Sequence, residues 1–202
     1  CSPTRSMLLS GTDNHLAGLG NMAEFTAPNQ KGKPGYEGYL NENVAPLPAL
    51  LKDAGYNTYM AGKWHMGEEP EHYPAARGFM RDFTLIPGGG SDMWGAKGER
   101  QLYTKNGKPI QALRPGFYSS EDYTASIIEN IDENRADGKP FFVYLALQAP
   151  HDPFQLPDNW LDRYKGRYDA GYDATRADRI ERMKALGILD TKATVFPRLA
   201  NV

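Results

Sequence analysis

Cysteine is almost missing from this chain: Cys1 is the sole one among 202 residues. A disulfide framework within the segment is thereby excluded, and so is a zinc site built on cysteines. Long apolar runs are missing too, and no stretch reaches the roughly 20 residues that a membrane-spanning helix needs. Nor does charge of one sign dominate. Lys and Arg number 23 against 25 Asp and Glu, a net charge of −2, so no basic field marks a nucleic acid or an anionic membrane as partner. Histidine is scarce, with four in the chain. The sequence starts at Cys1 without an initiator Met, and TVFPRLANV (194–202) closes it with no terminating signal. The chain is therefore expected to be an internal piece of a longer protein.

What is present is ordinary globular composition, 40% apolar and 24% charged, in a length sufficient for one sizeable core. The 21 Gly and 15 Pro make the chain loop-rich, above all over 28–38 and 86–116, and no repeat is visible. Leu47, Leu50, Leu51 and Ala54 share one face of a short helix that Gly55 would stop. Residues 56–61 read as a strand, followed at once by Gly62-Lys63-Trp64-His65. A second helix is expected over 120–135, capped by Ser119 or Ser120, with Ile127, Ile128 and Ile131 inward and Gly138-Lys139-Pro140 as its stop. The run FFVYLAL (141–147) suits a central strand covered on both faces. Residues 173–187 read as an amphipathic helix. Helix before strand, twice over, predicts an α/β fold with helices on the faces of a mostly parallel sheet. Ligands of such folds gather at the carboxyl ends of strands, where His65 and His151 lie.

Three short segments carry the chemistry. The first is Cys1-Ser2-Pro3-Thr4-Arg5, followed by Leu8, Leu9 and Gly11. Read by itself it is a helix start, with a polar residue at the cap and Pro in the first turn. The second is Gly55-Tyr56-Asn57-Thr58-Tyr59-Met60-Ala61-Gly62-Lys63-Trp64-His65-Met66-Gly67, and the third Ala149-Pro150-His151-Asp152-Pro153. Together, in this order, they resemble the signatures of the sulfatase family. Gly35-Tyr36-Glu37-Gly38 and Phe117-Tyr118-Ser119-Ser120 read most like bacterial arylsulfatases of the cysteine type. The resemblance spans about the first four-fifths of the chain.

That resemblance implies an alkaline-phosphatase-like sandwich, represented only in part, with 1–202 a piece of the catalytic domain truncated at both ends. It implies hydrolysis of sulfate monoesters, and conversion of Cys1 by a maturase to formylglycine, an aldehyde that hydrates to a diol. One diol oxygen attacks sulfur, and the other expels sulfate by restoring the aldehyde, a covalent route with a built-in release step. The catalytic residues it implies are Cys1, Arg5 and His65. Arg5 lies one helical turn after Cys1 and can fold back to hold the diol. If the chain is extended at 63–65, Lys63 and His65 point to one side and Trp64 to the core. Lys63 then pairs with a sulfate oxygen, His65 assists proton movement, and His151 binds sulfate or the leaving oxygen.

The resemblance also implies calcium, with Cys1, as formylglycine, one of its ligands. Calcium takes six to eight oxygens, and the Asp pair upstream of Cys1 and the downstream ligands have no counterpart here. The isolated segment is therefore expected to be inactive and at most marginally folded. Other residues carry less. His15 is expected to support the loop after the first helix and His72 to be solvated. Glu68, Glu69 and Glu71 read as a wet acidic loop, and Gly88-Gly89-Gly90 as a flexible loop on the substrate rim. Trp94, Tyr103 and Phe117 line an aromatic pocket or simply pack. The alternatives are a phosphonate or phosphate ester hydrolase of the same superfamily, a degenerate binding homologue, and a thiol enzyme using a Cys–His pair. Localisation stays open between bacterial cytoplasm and periplasm.

Overall fold

The computed structural model describes residues 1–89 and 103–193; Gly90, Trp94 and 194–202 lie outside them. The chain divides into two units, Cys1–Gln155 and Leu156–Val202.

The first unit is built on a mixed five-stranded sheet, of order β4-β3-β2-β1-β5. β1 (Asn57–Lys63) runs parallel to β2 (Arg81–Leu85) on one side and to β5 (Phe141–Ala146) on the other. β3 (Tyr103–Lys105) and β4 (Lys108–Pro109) add an antiparallel hairpin at the far edge, turning on Asn106 and Gly107. α1 (Ser2–Ser10), α2 (Leu47–Asp53) and α3 (Ser119–Asn134) flank the sheet.

Two apolar clusters account for its stability. One gathers Leu9, Leu19, Leu40, Met60, Trp64, Met66, Phe79 and Ile86, with Phe142 and Tyr144 against it. The other gathers Tyr59, Ala61, Leu85, Tyr103, Phe117, Tyr123 and Ile127. Because successive side chains of a strand leave opposite faces, Met60 serves the first cluster, while Tyr59 and Ala61 serve the second. β1 is buried along its whole length.

Several expectations change here. The strand covered on both faces is β1, whereas β5 is the outer strand of the described sheet, with Phe141 and Leu145 exposed. Hydrophobicity marks what a strand can bury, while the topology decides which strand has neighbours on both edges. The predicted strand 56–61 in fact reaches Lys63, one residue short of Trp64. α2 forms and stops at Ala54 and Gly55, yet Leu47 and Leu50 are exposed and Pro48 is the buried residue. The helix docks through its first turn, where Ala49 lies too close to Gly78 for any side chain there. In α3, Ile127 is buried and Ile131 packs beside it, but Ile128 is exposed, as its 100° rotation from Ile127 requires. Tyr118 is the N-cap, and the Asp122 carboxylate accepts its amide at 2.9 Å.

The second unit carries α4 (Asp158–Leu161) and α5 (Gly171–Ala185). No residue of either helix is buried. Local contacts hold it: the Arg163 guanidinium lies over the Trp160 ring at 4.2 Å, and Tyr164 stacks on Tyr168.

Candidate active site

Cys1 is the N-cap of α1 and is exposed. One turn on, the Arg5 amide donates to the Cys1 carbonyl at 3.0 Å. The Arg5 side chain turns toward the sheet, where Nη1 donates to the Lys63 carbonyl at 2.6 Å and to the Tyr144 hydroxyl at 3.2 Å. One guanidinium thus pins the start of α1 to the carboxyl ends of β1 and β5. Tyr144 is the one residue of the FFVYLAL run with a polar tip. Its ring stacks on Phe79, a core residue, so the hydroxyl is delivered to Arg5 by the packing beneath.

Lys63 ends β1 with 2% of its surface exposed. Among the described residues its ammonium has no hydrogen-bond partner. Burial, helped by the Arg5 cation and opposed by Glu24, lowers its pKa from 10.5 to about 8. The positive charges of Lys63 and Arg5 also act on Cys1.

The chain does not stay extended after Lys63. Trp64 is fully buried and its indole N–H donates to the His72 carbonyl at 2.9 Å. His65 then takes φ 59°, a left-handed conformation uncommon for a residue with a Cβ. Its amide donates to the Ile86 carbonyl at 2.9 Å, one place along from the Trp64–Leu85 bond. The turn, not strand alternation, brings His65 to the Lys63 side. The ring is 8% exposed and lies against Gly88, where any Cβ would overlap it. Nε2 meets the Glu24 carboxylate at 3.0 Å from Oε1 and 3.2 Å from Oε2, while the buried Nδ1 has no partner among the described residues. Burial lowers the His65 pKa even though Glu24 favours the cation.

Cys1, Arg5, Lys63 and His65 therefore share one cluster, to which the structure adds Glu24, Gly88 and Tyr144. No spacing rule links Glu24 to a histidine 41 residues later, so the sequence gives no sign of that pair. Tyr144 was detectable as the polar exception in an apolar run. His151 is half exposed, and its contacts stay in its own loop: Nδ1 to the Asp152 carbonyl at 2.7 Å and to Oδ1 at 3.2 Å. Gly88 is a packed floor for His65 rather than a free rim. His72 is not solvated but stacks on Tyr39 at 3.8 Å. Tyr103 and Phe117 belong to the core. His15 does brace its loop, bonding the Asp13 carboxylate and the Tyr36 hydroxyl at 3.2 Å each.

By charge the cluster suits an anion: it holds two cations, a neutral-leaning imidazole and the Cys1 side chain, with one carboxylate set against the imidazole. Calcium does not fit these residues by themselves. Among the described residues no three His, Cys, Asp or Glu side chains converge, and the charged neighbours of Cys1 are mainly cationic.

Comparison with known proteins agrees with this chemistry. The sulfatase family model matches residues 1–194. An uncharacterised sulfatase of Schizosaccharomyces pombe is 47% identical over 98% of this chain and 38% of its own length. An arylsulfatase of Klebsiella aerogenes is 42% identical over 93% of this chain and 41% of its own. The chain thus spans about two-fifths of the length of these relatives. Among solved structures, Ps i-CgsB in complex with k-i-k-neocarrahexaose superposes with a TM-score of 0.61 at 26% identity, covering 79% of this chain and 36% of that one. BT4656 in complex with its substrate D-glucosamine-2-N,6-O-disulfate gives 0.56 at 26% identity, covering 83% and 28%.

Proposed function

The chain belongs to the sulfatase family, and from that premise we propose that its protein hydrolyses sulfate monoesters, of the aryl class, with Cys1 as the precursor of the nucleophile. The observation that carries this reading is the placement of Lys63: an ammonium at a strand end with no hydrogen-bond partner among the described residues, beside Arg5 and Cys1. Two neighbouring cations with Glu24 as their nearby anion leave positive charge in excess, which is costly when buried and is accounted for if an anionic group occupies the site during turnover. The 42% identity to an arylsulfatase supports the aryl class.

Conversion of Cys1 to formylglycine by a maturase supplies an aldehyde hydrate whose hydroxyl attacks sulfur. The remaining work belongs to this chain's residues. Lys63 holds a sulfate oxygen. Arg5, fixed by the Lys63 carbonyl and the Tyr144 hydroxyl, keeps positive charge beside residue 1 and orients it from one helical turn away. His65, lowered by burial, takes up a proton as sulfate is released. His151 meets sulfate or the leaving oxygen after its loop moves onto the bound ester.

The experiment is mass spectrometry of the Cys1 peptide from the protein co-produced with a maturase, beside turnover of an aryl sulfate and its phosphate analogue. The aldehyde in place of the thiol, with sulfate turned over faster, is the expected result. An intact thiol from a maturase active on a control rules out the formylglycine route, and preference for phosphate moves the protein to ester hydrolases of the other anion.

A further inference from the structure

We infer that Glu24 is a positioning residue for His65: its carboxylate fixes the ring proton on Nε2 and leaves Nδ1 as the proton-accepting atom. The inference rests on the reading of His65 given above. Both Glu24 oxygens lie within 3.2 Å of Nε2, and an ionised carboxylate only accepts. Nε2 must therefore carry the hydrogen. In a neutral imidazole the other nitrogen is then a bare lone pair. That nitrogen, Nδ1, is buried and has no partner among the described residues. Leaving a buried acceptor unsatisfied is costly, and a partner arriving with the substrate would remove that cost.

Glu24 is itself built into place. It sits in a short 3-10 turn, Ala23–Phe25, and Asn21 clamps both sides of that turn. Asn21 Oδ1 accepts the Met22 amide at 2.8 Å, and Nδ2 donates to the Phe25 carbonyl at 2.7 Å. Gly88 packs against the Nε2, Cε1 and Cδ2 atoms of the His65 ring, and the His65 backbone is held to Ile86. A ring trapped on one face, with one nitrogen bonded to an anion, has one tautomer and one orientation. The charged groups facing it are Glu24, which favours its protonation, and Lys63, which opposes it; its own burial opposes it more than either. The Glu24 carboxylate is held low in turn, because its backbone bond and His65 outweigh its partial burial, so it stays an acceptor at neutral pH.

The test compares wild type with Glu24→Gln and Glu24→Ala in protein whose Cys1 conversion is verified by mass. The readout is the pH profile of kcat/KM on an aryl sulfate. Glutamine can accept from Nε2 but removes the negative charge, so the His65 pKa falls and the acid limb moves to lower pH, with little change at the optimum. Alanine removes the acceptor as well, and kcat/KM falls roughly tenfold to a hundredfold, the range for residues that orient a functional histidine from behind. An acid limb that stays in place in both variants overturns the inference, as does an Ala variant equal to wild type. The same question is put without catalysis by imidazole nitrogen NMR of the full-length protein with Cys1 left unconverted, with His65 assigned through His65→Gln. Wild type is expected to show the Nε2–H tautomer and Glu24→Ala a mixture; an Nδ1–H tautomer in wild type overturns the proposal. Absence of turnover by the wild type defeats the proposed function, and the NMR result still decides the role of Glu24.

Discussion

At the scale of single residues, the site is arranged at the expense of stability. Lys63 is the clearest case. Its folded pKa of about 8 lies below the 10.5 of the unfolded chain, so the unfolded state binds more protons between those values. Stability is therefore lowest, from this residue, at and below pH 8 and rises as pH increases from about 8 toward 10.5. The shift corresponds to about 3 kcal/mol. Lys63→Met is expected to raise the unfolding free energy at pH 7 by about 1–3 kcal/mol in denaturant titration, flatten its alkaline rise, and abolish sulfate-ester turnover. A variant that unfolds more easily at pH 7 would show that Lys63 is a structural cation instead. Gly88 makes the complementary case, because a methyl group there overlaps the His65 ring. Gly88→Ala should lower kcat by about tenfold or more while leaving cooperative thermal unfolding in place; unchanged kcat would mean the ring moves freely.

Which residues gather in the candidate site was largely readable from the sequence. Cys1, Arg5, Lys63 and His65 stood out by type and order, and the structure brings them together. Glu24 was invisible because its partnership depends on a turn folding back across 41 positions. His151 was singled out by its segment, yet its observed bonds are to Asp152, since the sequence names a residue without fixing its loop's conformation.

At the scale of elements, the join between β1 and β5 is the critical seam. Gly62 faces Ala146 across it with φ 117°, and any Cβ there would overlap the Ala146 carbonyl. Gly62→Ala should cost at least about 3 kcal/mol, through both backbone strain and lost pairing. Equilibrium unfolding measures this, and a loss under 1 kcal/mol would mean that the strands separate cheaply. The seam ends on Lys63 and runs beneath Arg5, so the variant should also loosen the site. The far hairpin has its own anchor. Asp82 is buried and accepts Thr104 Oγ1 at 2.9 Å and the Gly107 amide at 2.7 Å. Removing it as Asp82→Ala orphans both donors, at about 2–4 kcal/mol in the same assay. Helices and strands were legible from periodicity, but their neighbours were not. β5 looked central and is the outer strand among the described residues, and α2 looked apolar on a face that is exposed in this chain.

At the scale of the whole molecule, the two units differ in what holds them. Every side chain of the two apolar clusters falls within Cys1–Gln155, whereas 156–193 relies on local rings and exposed ion pairs worth little each. Trypsin under native conditions should therefore cut the 202-residue chain first at Arg163, Lys165 and Arg167, before any site in 1–155. Early cleavage at Lys52 or Lys105 would show instead that the first unit opens as readily.

The sequence by itself determined the family and the functional groups on offer, because those depend on which residues exist and in what order: a lone cysteine at a helix start, a lysine and a histidine flanking a tryptophan after a strand, and an α/β alternation. The tertiary structure decided what state those groups are in. Burial took Lys63 down to about 8, a left-handed turn aimed His65, and Glu24 and Gly88 trapped its ring. Those are effects of dielectric and distance between residues far apart in the chain, and only the folded packing sets either one.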